Sequence, residues 1–188
     1  MMKKLWQLMV VVALVIIFET VSLSGVLAAV TEWKPDGVIS VNEYTKQQKI
    51  GDIEVFTRIE GDYIMMAFQA KATGYMALGI GPEQVMKGAD MIFAYVKDGK
   101  AFVEDAYSTG PFGPLPADTA QGGTMDIQMI GGSEKDGQTT VEFKRRLDTG
   151  DKKDKPLKLG DNKVIWALGS SDDITKKHIR RGYGNLAL

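Results

Sequence analysis

Turn signals recur so closely along this chain that no amphipathic helix has room between them. Asp98-Gly99 is the clearest. It separates two β-rich runs, 91–97 and 101–107. An Asp-Gly pair in that setting predicts a two-residue hairpin, because both central residues of a type I′ turn need positive φ. Gly61-Asp62, Thr73-Gly74, Lys135-Asp136-Gly137 and the cluster 148–151 punctuate the rest in the same way. Between them, 53–59, 63–70, 75–80, 125–130, 139–145 and 162–169 read as strands. Val55, Thr57 and Ile59 alternate onto one face, whereas 63–70 is apolar on both. A strand apolar on both faces must be covered twice, by two layers of protein or by protein and a ligand. Residues 108–123 are so rich in Gly and Pro that neither a helix nor a central strand survives there. About eight to ten short strands with regular turns predict an all-β chain folded as an antiparallel β-sandwich.

The N-terminus follows a different pattern. Lys3 and Lys4 precede an apolar run, 5–18, and Val26-Leu27-Ala28 offers the residues a signal peptidase reads. This predicts a signal peptide at 1–28 and a single domain at 29–188. The expected location is extracytoplasmic: periplasmic, secreted or at the cell surface. An uncleaved segment would anchor the chain to a membrane instead, although 5–18 is shorter than the roughly 20 residues a span needs. A net charge of −1 excludes the basic face of a nucleic-acid binder. With no cysteine the chain has no disulfide, no cysteine zinc site and no covalent attachment of a c-type haem. One histidine rules out a multi-histidine metal site within the chain.

That histidine, His178, is flanked by Lys176, Lys177, Arg180 and Arg181. Neighbouring cations lower an imidazole pKa and favour the neutral form that binds metals. The same cations suit carboxylates. Most of the ten methionines sit in strands as adaptable core filler. Met86 does not: it lies in a Gly/Pro-bounded loop, 79–91, where a hydrophobe has no evident core to fill. A thioether and an imidazole together form a recognised haem ligand pair that raises the reduction potential. Met65, Met66, Phe68, Met76, Leu78 and Ile80 are candidates for an apolar slot around a flat macrocycle. Asp90, Asp105, Asp172 and Asp173 offer oxygen ligands, but their spacing matches no linear calcium loop. No carboxylate pairs with a nucleophile, so hydrolytic catalysis has little support. Trp33, Tyr107 and Trp166 are the aromatics from which a sugar-stacking groove would be built; core packing is the competing role.

Several segments, taken in order, resemble one family. They are Gly74-Tyr75-Met76-Ala77-Leu78-Gly79-Ile80-Gly81-Pro82, Met86-Lys87-Gly88-Ala89-Asp90-Met91 and Glu104-Asp105-Ala106-Tyr107. Next come 137–145 with Leu147-Asp148-Thr149-Gly150-Asp151, then Val164-Ile165-Trp166-Ala167-Leu168-Gly169, and finally His178 before Arg181-Gly182. On these the chain resembles DOMON domains, in particular the cytochrome branch. The resemblance implies an immunoglobulin-like sandwich of about eight to eleven strands. It also implies haem b held non-covalently between Met86 and His178, with Met65, Met76 and Arg181 near the cofactor. The implied work is one-electron transfer rather than catalysis. The implied partner is a redox protein, either a membrane b-type cytochrome or an oxidoreductase. Other DOMON domains bind sugars or belong to larger copper enzymes, so a carbohydrate-binding module without haem is the alternative. Related haem subunits use methionine and lysine, which makes Lys176 or Lys177 a substitute ligand.

Overall fold

Strands form where the turn pattern leaves room for them. The computed structural model describes residues 31–188; the expected signal peptide at 1–28 lies outside the described residues. Ten strands follow in order: β1 (Lys46–Ile50), β2 (Ile53–Glu60), β3 (Tyr63–Ala70), β4 (Met76–Ile80), β5 (Asp90–Lys97), β6 (Lys100–Tyr107), β7 (Gln128–Lys135), β8 (Gln138–Arg146), β9 (Asp161–Leu168) and β10 (Arg180–Ala187). Helical structure among the described residues is one 3₁₀ turn, Asp118–Gln121. The β5–β6 hairpin turns on Asp98 at φ 51° and Gly99 at φ 72°, the two positive values a type I′ turn requires.

The strands form two five-stranded sheets, β1-β2-β3-β8-β7 and β10-β9-β4-β5-β6. Every pairing is antiparallel. They stack as a sandwich. Met66 and Phe68 of β3 pair with Phe143 and Val141 of β8 and face inward. Met76, Leu78 and Ile80 of β4 meet them from the second sheet. The rings of Phe68 and Phe143 pack edge-to-face with centroids 5.2 Å apart. Trp166 packs against this core rather than standing on the surface.

Two strands escape the sequence reading, and a third is shifted. β1 reads KQQKI and β10 reads RRGYGNLA. Both are edge strands, so ladder hydrogen bonds on one side define them while much of their side-chain surface faces water. Neither carries the apolar run that marks a strand. The strand expected at 125–130 forms instead at Gln128–Lys135, with a register shift between Gln128 and Gly131. Polar pairing with β8 outweighs the apolar residues Met129 and Ile130, which stay exposed.

At one end the core turns ionic. Arg145 pairs in register with Ile64, Asp90 with Ile80, and Asp105 with Ile92, so all three project between the sheets. Arg145 Nη1 donates to Asp90 Oδ2 at 3.0 Å, joining one sheet to the other. Its Nη2 lies 3.4 Å from Asp154 Oδ2, brought in by the loop after β8. The next residue, Arg146, faces outward and meets Asp62 at 3.5 Å on the surface.

This contrast between neighbours is testable by urea denaturation. Arg145→Met strands buried carboxylates and should lower unfolding free energy by about 3–5 kcal/mol. Arg146→Met removes a solvated pair and should cost less than about 1 kcal/mol. Equal effects would contradict the inward placement of Arg145.

Candidate functional site

The second sheet is apolar on its outer face as well. Residues paired directly across strands project to the same side. Ala77 pairs with Phe93 and Ala167; Gly79 pairs with Met91 and Ile165; Met91 pairs with Ala106. Together with Tyr75 and Ala89 these make a second buried cluster, separate from the sandwich core. Its middle is built from small residues. A Cβ added at Gly79 would lie 2.4 Å from the Met91 sulfur and 2.7 Å from Ile165 Cγ1, so only glycine fits this part of the floor.

Three loops roof the floor. Met86 comes from the β4–β5 loop, Leu115 from the Pro-rich segment after β6, and Ile174 from the β9–β10 loop; Tyr95 closes the side. Met86 sits at the tip of a tight turn in which the Lys87 N–H donates to the Gln84 carbonyl at 2.9 Å. The preceding residue, Val85, has φ 55°. A β-branched residue in the left-handed region is strained, at a cost of about 1–3 kcal/mol. Such strain concentrates where backbone geometry serves a site.

The β9–β10 loop is anchored to the same face through Tyr75. The Tyr75 hydroxyl donates to the Lys176 carbonyl at 3.0 Å, and its N–H donates to Ser171 O at 3.1 Å. Its ring packs edge-to-face on Phe93, 5.4 Å between centroids. His178 lies at the end of this loop, half-buried. The imidazole pKa is lowered from 6.5, first by burial, then by Arg181 and Lys177. Arg181 pairs with Ala167, and Tyr183 with Ile165, so both extend the outer face. Arg180 is engaged by Asp52 at 2.7 Å and Lys176 by Asp173 at 3.8 Å. Arg181 makes no ion pair among the described residues, and its guanidinium is exposed.

Met86, Arg181 and the His178 loop therefore share one face. Met65 and Met76 do not. Met76 points into the sandwich core with Leu78 and Ile80, because the pleat turns Ala77 and Gly79 outward in their place. Met66 and Phe68 lie in that core too. Met65 pairs with Arg58 and Lys144 and projects from the far side of the first sheet. There the 31–45 segment lies over the strands: the Tyr44 hydroxyl and the Gly37 N–H both donate to Glu142. The floor residues Ala77, Gly79, Ile165 and Ala167 are what sequence reasoning missed. Their signal was the alternation of small with large side chains in Met76-Ala77-Leu78-Gly79-Ile80.

Comparison with known proteins agrees with this architecture. The family model of the DOMON domain matches residues 49–169. The chain belongs to the DOMON domain family. Among relatives of this DOMON chain, DBH-like monooxygenase protein 1 from Mus musculus is 30% identical over 113 residues, covering 60% of this chain and 18% of the relative. MOXD1 homolog 1 from Drosophila melanogaster is 28% identical over 101 residues, covering 54% and 14%. The chain thus spans less than a fifth of these relatives. Two solved structures share its fold. One is the cytochrome b domain of pyranose dehydrogenase from Coprinopsis cinerea, with TM-score 0.54 and 15% identity, covering 72% of this chain and 76% of that one. The other is the cytochrome domain of Myriococcum thermophilum cellobiose dehydrogenase, with TM-score 0.55 and 11% identity, covering 72% and 74%. Among the described residues of this DOMON domain no helix is long and apolar enough to cross a membrane.

The electrostatics of His178 can be measured directly, since one histidine gives one imidazole signal. In an NMR titration of the ligand-free domain its midpoint should fall below 6.5. Arg181→Gln should move it upward, because removing a nearby cation eases protonation. A midpoint unmoved by that change would separate Arg181 from the imidazole.

Proposed function

We propose that this DOMON domain is a b-type cytochrome module that binds haem b non-covalently on the outer face of its second sheet. Met86 and His178 would hold the iron and Arg181 would pair with a carboxylate of the haem. The observation that carries the reading is the convergence of the Met86 loop and the Tyr75-anchored His178 loop on one apolar floor. The donor set fits, since a thioether and an imidazole held neutral by its surroundings are both competent toward iron. The floor fits too: the small side chains at Ala77, Gly79 and Ala167 give it low relief, an apolar surface on which the edge of a macrocycle gripped between the two loops would rest in place of Leu115 and Ile174. Haem held by this pair would supply a one-electron couple. The chain's own residues shield it from water and set its orientation.

The proposed partner is an oxidoreductase or a membrane b-type cytochrome. The two solved structures described above are cytochrome domains of dehydrogenases, and one of the sequence relatives is a DBH-like monooxygenase protein. An extracytoplasmic location follows from the proposed signal peptide. The carbohydrate-binding alternative draws little from the aromatics. Trp33 donates to the Tyr44 hydroxyl, Trp166 packs on the core, and the Tyr107 ring lies under the Lys153 ammonium.

Absorption spectroscopy of the haem-reconstituted full chain tests this. The wild type should give a sharp Soret band with resolved α and β bands on reduction. Met86→Ala should lose six-coordinate low-spin character, and His178→Ala should bind haem weakly or not at all. Wild-type spectra from both variants would refute the ligand assignment, and a chain that takes up no haem would refute the cytochrome reading.

A further inference from the structure

The ionic end of the core carries more negative charge than the protein itself balances. Asp90, Asp105 and Asp154 are all buried, and one carboxylate oxygen from each lies within 4.8 Å of the others. A fourth carboxylate, Asp118, is 1% exposed. It enters from the 3₁₀ turn on a different segment, and neither of its oxygens has a hydrogen-bond partner among the described residues. It feels Asp154 most strongly among its charged neighbours, then Asp90. Against these four stands the buried Arg145, paired with Asp90 and Asp154. Asp105 Oδ1 and Asp90 Oδ1 also lack partners among the described residues.

We propose that Asp90, Asp105, Asp118 and Asp154 form a binding site for a hard divalent cation, calcium by its chemistry, between the two sheets. The donor set is all oxygen, without imidazole or thiolate, which suits calcium and magnesium rather than zinc or copper. The oxygens of Asp90, Asp105 and Asp154, up to 4.8 Å apart, fit on a sphere with calcium's contact radius of about 2.3–2.6 Å; Asp118 is the unpartnered carboxylate from which a further oxygen would come. Magnesium, at about 2.0–2.1 Å, demands a tighter cage and gives up its water reluctantly.

Protons are the competing way to neutralise the cluster. Burial, then Asp154, pushes Asp105 up to about 8; burial, then Asp154 and Asp90, pushes Asp118 up to about 7; burial pushes Asp154 up to about 6. A proton on Asp118 removes its charge and lets one oxygen donate to a neighbouring carboxylate, but it leaves the other oxygens of the cluster without partners. A buried group left unpaired costs about 1–3 kcal/mol. A shared cation satisfies Asp118 and its neighbours together, whereas each proton bridges at most two oxygens. The site also joins segments far apart in sequence. The Asp126 N–H donates to Asp105 Oδ2 at 3.2 Å, the Thr124 N–H donates to Asp151 Oδ2, and the Lys155 N–H donates to Asp90 Oδ2 at 3.0 Å. A bound cation would fasten the Pro-rich loop and the loop after β8 onto the sheets.

Thermal unfolding of the full chain in calcium chloride, magnesium chloride or EDTA tests the proposal, with or without haem. Millimolar calcium should raise Tm by about 5 °C or more over EDTA, and magnesium by less. Carboxylates whose folded pKa exceeds the unfolded value of about 3.9 bind more protons when folded. In EDTA, stability should therefore fall as pH rises from 5.5 to 8.5. The charges facing one another there are Asp90, Asp105, Asp118, Asp126, Asp151, Asp154, Arg145, Lys153 and Lys155. Because calcium competes with those protons, its effect should be larger at pH 8.5. Asp118→Asn should weaken calcium binding at least tenfold by calorimetry while raising Tm in EDTA, since it relieves repulsion without breaking a bond. Two results would overturn the site: acid stabilisation with no response to calcium, or an equal response to calcium in wild type and Asp118→Asn.

Discussion

A sheet that is apolar on both faces has to be covered twice, and the second sheet of this domain is such a sheet. Its inner face is covered by the first sheet. Among the described residues nothing of comparable size remains for the outer face, so loops do the work. The β4–β5, β6–β7 and β9–β10 connections each fold back over Ala77, Met91, Phe93 and Ile165. The proximity of the Met86 and His178 loops is a consequence of that covering. The apolar floor draws both loops to one place, and the chemistry of the side chains they carry decides what the place can bind.

The same pleat separates two environments one residue apart. Asp90 faces inward to Arg145, while Met91 faces outward to the floor. Tyr75 performs a related service at the other end of the floor. Its ring belongs to the apolar cluster and its hydroxyl holds the loop that ends at His178. Rigid strands thereby fix the position of loop residues that would otherwise have few constraints of their own.

Much of this was legible in the sequence, for reasons that can be named. Asp98-Gly99 has one good backbone solution, and the hairpin adopts it. The strand 63–70 was found residue for residue, because its flanking turns are unambiguous. Its composition, apolar throughout, concealed which residues face which way. For that reason Met65 and Met76 were grouped with Met86, although one lies beyond the first sheet and the other inside the core. β1 and β10 were missed because edge strands owe their existence to main-chain pairing. Asp90 and Asp105 stood out as oxygen donors, yet their companions Asp118 and Asp154 arrive through tertiary folding, which linear spacing does not encode. Nothing in the local sequence marks Arg145 as buried while its neighbour Arg146 is exposed; the partner carboxylates that distinguish it also arrive through tertiary folding.

The turn carrying Met86 is held almost wholly by its backbone. The Glu83, Lys87, Gly88 and Ala89 N–H groups all donate to carbonyls of the loop or of Ser108. The side chain at position 86 makes none of these hydrogen bonds, so the main-chain frame of the turn does not depend on which side chain packs on the floor from its tip. A domain built this way is free to change what it holds over evolutionary time: a new residue at the tip inherits a finished platform, and the rest of the sandwich need not adjust.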